Sequence, residues 1–303
     1  MDSGLGRNLH YITYKSAPMP MSPRLLRPRQ TGLHPEAQVW RNAVIANGGT
    51  VSGSTLAAVS KFCFSIDAAG IRDRFYRLNL FAGTELNAAL VPLYRGQSRT
   101  GTQFGNTTDT NNGPFVSGDY AETGASGGLQ AVSNTSKHLA TGLNPFTAGL
   151  SEQNYHNSGY FPATLSTTFF IASTSAFGNS LFAGAFSTIG MYVRFGGGSN
   201  SGLENAAISA RNGHLLGQRS GGTGVGYRNG ININGTSNTS GSSAFASGMN
   251  SLFVFATNTG SGASQFFSGR ACMYSVGLNF TDAQALAFYN AVQAFQTALQ
   301  RNI

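Results

Sequence analysis

The pattern of apolar positions changes character once along the chain. Between residues 35 and 83 apolar side chains recur every three or four positions, the spacing of a helix face. Pro35 suits a first helical position, where no N–H is needed, and Asn47-Gly48-Gly49 stops that helix. Ser54 is placed to cap a second helix that gathers Leu56, Val59, Phe62, Cys63, Ile66 and Ala69 on one face. Gly70 ends or kinks it. Ile71, Phe75, Leu78 and Phe81 continue the helical spacing to Gly83, with Arg72, Arg74 and Arg77 expected in solvent. Residues 35–99 thus predict a small helical region that covers one face of the remaining chain.

From about residue 100, short apolar runs alternate with Gly, Ser, Thr and Asn clusters. Candidate strands are Tyr155–Pro162, Ser166–Ser173, Gly190–Phe195, Ala206–Arg211, His214–Gly217, Gly224–Arg228, Ser251–Ala256 and Cys272–Leu278. Many short strands with such turn chemistry predict a mainly β, antiparallel β-sandwich or barrel. Asn229-Gly230 is a hairpin signal, because it supplies two positive φ angles in succession. Gly196–Gly202 and Gly235–Gly241 read as exposed loops. The chain closes with a helix over 281–301: Thr281 and Gln284 form a capping box, and Ala285, Phe288, Val292, Phe295 and Leu299 share one face. That seam is about two heptads long, short of a coiled coil, and is read as packing on its own sandwich.

Ahead of the helical region lies a different texture. Residues 1–34 contain Ser16-Ala-Pro-Met-Pro-Met-Ser-Pro-Arg-Leu-Leu-Arg-Pro-Arg-Gln30, whose prolines remove backbone donors and disfavour helix. The segment reads as an extended docking arm that lies on a neighbouring subunit or another protein, with Arg24, Arg27 and Arg29 available to acidic neighbours, or else on its own domain. Twelve of the 19 Lys and Arg but only five of the 11 Asp and Glu lie in residues 1–99, so this third carries +7 of the net +8. The remainder is near neutral, which argues against a specific nucleic-acid partner.

Composition narrows the class further. Forty glycines with 10% charged residues exclude a coiled coil, and the 22 Phe and 11 Tyr of the 303 residues can bury a large core. No apolar run reaches the ~18 residues of a membrane span, and the N-terminus has no apolar signal-peptide core. Cys63 and Cys272 are read as buried free thiols, a single disulfide being the alternative.

Catalytic motifs fail one by one. Gly124-Ala-Ser126-Gly-Gly128 matches G-x-S-x-G but lacks the strand before and the helix after that would raise the serine on an elbow. No P-loop or G-x-G-x-x-G occurs. His10, His34, His138, His156 and His214 show no metal-ligand spacing. Asp109-Thr-Asn111-Asn112-Gly113 could offer oxygens to calcium but lacks the carboxylates of an EF-hand loop. Asp109, Asp119, Glu122, Glu152, Glu204 and Asp282 form no close-set pair within a strand, as glycoside hydrolysis would ask. Sequons at Asn106, Asn134, Asn234, Asn238 and Asn279 are explained by composition.

Four segments carry a family resemblance: Trp40-Arg-Asn-Ala-Val-Ile-Ala-Asn-Gly-Gly49, Gln103-Phe-Gly-Asn-Thr-Thr-Asp-Thr-Asn-Asn112, Val225-Gly-Tyr-Arg-Asn-Gly230 and Met273-Tyr-Ser-Val-Gly-Leu-Asn-Phe-Thr-Asp-Ala-Gln284. Over residues 35–300 the chain resembles tailed-bacteriophage virion structural proteins with a concanavalin A-like (LamG-type) jelly roll. Leu25-Leu-Arg-Pro-Arg-Gln30 is similar to leader segments of such proteins. The resemblance implies a jelly-roll sandwich over 100–303 and no enzymatic activity; from the residues themselves no cofactor or metal is expected. It implies a structural and attachment role in a tail, baseplate or fibre, with capsid decoration as the alternative and a glycan-active enzyme as a third reading. Expected partners are other virion proteins, reached through the arm, and host-surface glycan. A homo-oligomer, guessed to be a trimer, made in the host cytoplasm and residing in the virion, completes the expectation; no membrane is involved.

Overall fold

The computed structural model describes residues 1, 32–132, 135–151, 153–163, 168–174, 180–186, 190–194, 202–205, 212–221, 223–233, 236–237 and 248–301. Leu33–Ile303 form one structural unit, and Met1–Gly32 are a second. Arg24, Arg27 and Arg29 lie outside the described residues.

Helix α1 spans Pro35–Ala46 and α2 spans Gly53–Ala68. His34 caps α1 through Nδ1, which accepts from the Glu36 N–H at 3.1 Å. The cap of α2 is Ser52, not Ser54: Ser52 has extended backbone (ψ 155°) and its Oγ accepts from Thr55 N–H at 3.1 Å, whereas Ser54 already lies within the first turn. The helix ends as expected, with Gly70 at φ 63°.

Helical spacing does not continue beyond Gly70. A 3-10 turn at Arg72–Arg74 leads into a strand, β1 (Phe75–Asn79), buried at every position. Phe75 and Leu78 both join the core beneath the helices although they are three residues apart. The register shift between Phe75 and Arg77 accounts for this, since a bulge adds one residue to the strand's repeat of two. That shift imitates the spacing of a helix. Arg77 is consequently not solvated but wholly buried. A single helical turn, α3 (Leu86–Ala89), comes next.

The principal strands after it are β2 (Asn154–Phe161), β3 (Thr168–Thr174), β4 (Ser180–Phe186), β5 (Gly190–Arg194), β6 (Gly202–Asn205), β7 (Gly213–Ser220), β8 (Thr223–Arg228), β9 (Ile231–Asn232) and β10 (Met273–Gly277). They fall into two large antiparallel sheets. One has the order β1-β10-β2-β7-β8-β9. The other carries β6-β5-β4-β3 and is extended by the short strands Phe253–Val254, Leu139–Ala140 and Thr110–Asn111. Ala256–Asn258 adds a parallel ladder to β3. A three-stranded sheet joins Tyr120–Ala121, Gly128–Ala131 and Gly269–Ala271. The fold is a mainly β, antiparallel sandwich with a helical region before it and a helix at its end.

The expected strands Tyr155–Pro162, Gly190–Phe195, Gly224–Arg228 and Cys272–Leu278 fall on β2, β5, β8 and β10 with end shifts of one residue or so. The expected Ser251–Ala256 strand is broken by Phe255, at φ 70°, into Phe253–Val254 and Ala256–Asn258. Ala206–Arg211 lies outside the described residues. Asn229 (φ 52°) and Gly230 (φ 74°) make the tight turn between β8 and β9, whose residues Arg228 and Ile231 pair.

Both faces of the β1-containing sheet are covered. Tyr155, Phe161, Leu215, Tyr274 and Val276 share a core with Phe170, Ile171 and Phe255 of the other sheet. Tyr160, Leu216 and Met273, one position out of phase, meet Phe62, Phe288 and Phe295 of the helices. Helix α4 (Asp282–Ala298) has the Thr281–Gln284 capping box, and Ala285, Phe288, Val292, Phe295 and Leu299 are all buried against α2 and the sheet. Burying each of those Phe side chains is worth about 1.5–3 kcal/mol. Cys63 and Cys272 are buried free thiols, and burial pushes the Cys63 pKa up to about 12.

Candidate functional site

Among the described residues, a pocket of about 300 Å³ opens where β7 and β8 meet the N-terminus of α4. Its floor follows from strand alternation. Gln218 on β7 points to the helix side and clamps the chain entering α4: its Nε2 donates to Phe280 O and its Oε1 accepts from Phe280 N–H, each at 2.7 Å. Tyr227 on β8 is buried, and its hydroxyl donates to Asp282 Oδ1 at 2.6 Å. Burial first, and then the Asp282 carboxylate, raise the Tyr227 pKa, so the phenol stays protonated. The rim adds Ser220, Asn279, Thr281, Gln284 and, from the turn before β1, Arg74. Arg74 Nη1 reaches Asn279 O at 3.4 Å, and its Nε has no hydrogen-bond partner.

The polar part of the lining is therefore amide, hydroxyl, one carboxylate and one guanidinium, beside the apolar Val225 and Phe280. It suits hydrogen-bonded recognition of a polar ligand. Among the described residues, no second carboxylate, needed for acid–base hydrolysis of a glycosidic bond, lines it.

The candidates expected from sequence lie elsewhere. Ser126 is an exposed turn residue followed by Gly128–Ala131, a strand and not a helix, so no nucleophile elbow forms. Asp109 is 1% exposed and faces inward. It accepts from Arg77 Nη2 at 2.6 Å, Asn79 Nδ2 at 2.8 Å and Tyr274 Oη at 2.8 Å, leaving no oxygen for a surface calcium. His156 Nδ1 sits 2.6 Å from Leu278 O and Nε2 2.9 Å from Ser275 Oγ. Neither ring nitrogen of His214 has a partner. His138 packs its ring on Phe253.

One trio among the described residues lies close enough to hold a metal, His34, Glu36 and Cys63, with ligand atoms within 4.8 Å of one another. Two of its three ligand groups are already engaged. His34 Nε2 is 2.8 Å from Asp67, and Arg72 grips both oxygens of Glu36 at 2.8 and 2.9 Å. Other acids also have protein roles. Asp119 pairs with Lys137 at 2.5 Å, and Glu122 accepts from Thr55 Oγ1 and Gly83 N–H at 2.7 and 2.9 Å. The Asp282–Tyr227–Gln218 arrangement escapes sequence reading because its members lie far apart in the chain. The capping box at Thr281 is the only local signal.

No family model matches the chain, and no curated protein does. Solved structures with a similar fold include the CBM40 of the Ruminococcus gnavus IT-sialidase bound to α2,3-sialyllactose. It is 13% identical, with 53% of this chain and 95% of that one covered, at TM-score 0.41. Domain 4 of AbnA, a GH43 extracellular arabinanase from Geobacillus stearothermophilus in complex with arabinotriose, is 18% identical over 71% of this chain and 98% of that one, at 0.39. A Trypanosoma rangeli sialidase mutant with trans-sialidase activity is 8% identical over 78% of this chain and 39% of that one, at 0.44. With each of these scores below 0.5, the likenesses add nothing to the strand pairing and bear on no function.

Proposed function

We propose that this protein is a non-catalytic structural and attachment component of a phage virion whose sandwich binds host-surface glycan. The observation that carries the glycan part is the pocket beneath α4. Its Gln218–Tyr227–Asp282 network fixes the Asp282 carboxylate at a pocket of about 300 Å³, room for one or two sugar rings. The virion part is supported by the sequence resemblance over 35–300 and by the basic, proline-rich arm. A tail, baseplate or fibre position is the first reading and capsid decoration the second.

Two experiments test the parts separately. The full chain on a glycan array should retain a defined set of glycans, and Asp282→Asn should weaken their binding about tenfold by removing the charge that accepts from sugar hydroxyls. A blank array would sink the glycan reading. For the arm, His34 belongs to the helical core through its cap and its bond to Asp67, so the truncation is best made after Gly32. That variant should melt like the full chain yet fail to enter particles. Normal incorporation would remove the docking role.

A further inference from the structure

We infer that the pocket takes a carboxylate-bearing sugar, with the acid group on Arg74 and ring hydroxyls on Asp282; this rests on the glycan reading of the same pocket. Unmet hydrogen-bonding capacity points to it. Within the pocket four polar side chains are already engaged by the protein. Gln218 is closed on Phe280 by both amide atoms. Thr281 and Gln284 close on each other as the cap of α4. The Tyr227 hydroxyl is spent on Asp282. Beside the neutral Ser220 and Asn279 side chains, two charged groups remain open. Asp282 sits at the exposed first turn of α4, with the Tyr227 hydroxyl bonded to Oδ1 and leaving Oδ2 to accept.

Arg74 is the more under-used. Its side chain is 30% exposed and lines the pocket. One weak bond joins Nη1 to Asn279 O at 3.4 Å, Nε has none, and Nη2 donates to no acceptor among the described residues. The nearest carboxylate, Asp73, stays 3.8 Å from Nε and is 65% exposed, so it is too distant for a hydrogen bond and largely hydrated. The two guanidiniums nearest in sequence are committed. Arg72 is bidentate on Glu36, and Arg77 is locked to Asp109.

A planar cation with free N–H groups at the edge of a polar pocket is matched best by a carboxylate, which can accept two of them at once. Asp282 imposes the second requirement. It would repel a ligand that is anionic throughout, and it calls for donors at the other end. A sugar acid such as a hexuronate meets both conditions, having its charge at one carbon and hydroxyls on the rest. A neutral sugar leaves Arg74 unmatched, and a phosphate has no donors for Asp282.

The test uses the full chain with three probes: methyl glucuronide, its methyl ester and methyl glucoside. Titration calorimetry should show the free acid binding at least about tenfold more tightly than the ester, in which the charge is lost. Arg74→Gln should erase that difference while leaving the melting temperature unchanged. Asp282→Asn should weaken acid and ester alike. Equal affinity for acid and ester, or a difference that survives Arg74→Gln, overturns the inference. If array glycans are bound in an Asp282-dependent way but all are neutral, the glycan reading stands and the acid preference alone falls. If nothing binds on the array or in solution, both fall.

Discussion

Asp109→Ala should cost about 3–5 kcal/mol, enough to remove a large part of a domain's usual ~5–15 kcal/mol. Asp109 is the single anion in a buried knot that ties three parts of the chain together. Arg77 comes from β1, Tyr274 from β10, and the segment around Asp109 from the long connection between α3 and β2. Arg77 also donates to Phe104 O at 3.1 Å and Asn106 O at 3.0 Å, so its guanidinium holds that connection against the sheet. Burial works against the charged Arg77, but Tyr274 and Asp109 outweigh it and hold its pKa above the ordinary arginine value. Gly105 has to be glycine here: at φ 70°, a Cβ would stand 2.8 Å from Arg77 Nη1 and 2.5 Å from Thr141 O. Removing the carboxylate strands a fully desolvated cation, and this is where the cost arises. The double variant Arg77→Met/Asp109→Ala deletes both charges and should recover part of the loss, because Phe104 O and Asn106 O still lose their Arg77 donor. Urea unfolding of the wild type, both single variants and the double variant measures the cycle. A loss below about 1 kcal/mol for Asp109→Ala would show the knot to be incidental.

The same knot shows what sequence reading reaches and what it does not. Positions governed by local rules are legible. The α4 cap, the Asn229-Gly230 turn and the face of α4 each depend on residues that are close along the chain. Buried free thiols follow from number and spacing alone. Strand β1 is not legible, because its bulge spaces Phe75 and Leu78 as a helix would. With both faces of the strand covered, no polar alternation betrays it. Arg77 then looks like one of three solvated arginines, since nothing local distinguishes a guanidinium bound for Asp109, 32 residues away. Asp109 looks like a loop ligand for the converse reason. The candidate pocket has no local motif: Gln218, Tyr227 and Asp282 converge only because β7 and β8 pair and α4 starts above them. Long-range polar pairing, not hydrophobic pattern, is the information that a single sequence conceals.

Acidification should destabilise the fold well before the carboxylates titrate, through two histidines on the helix-facing side of the sheet. His156 on β2 and His214 on β7 are both buried among Phe280, Phe288 and Tyr289. Burial is the chief cause that lowers each pKa from 6.5 to about 3. Arg74 adds to it at His156, against the Leu278 carbonyl, and His156 adds to it at His214. Between pH 6.5 and 3 the unfolded chain therefore binds more protons than the folded one, and stability falls as pH falls. At pH 5 the loss is about 2 kcal/mol for each histidine, and the two together approach the cost of the Asp109 substitution. Urea midpoints at pH 7.5 and pH 5 should differ accordingly, while a flat profile would contradict the buried, neutral state. His214→Leu separates the two contributions. It should remove about half of the pH dependence, and because neither nitrogen of His214 has a partner, it should also stabilise the protein by about 1 kcal/mol at neutral pH.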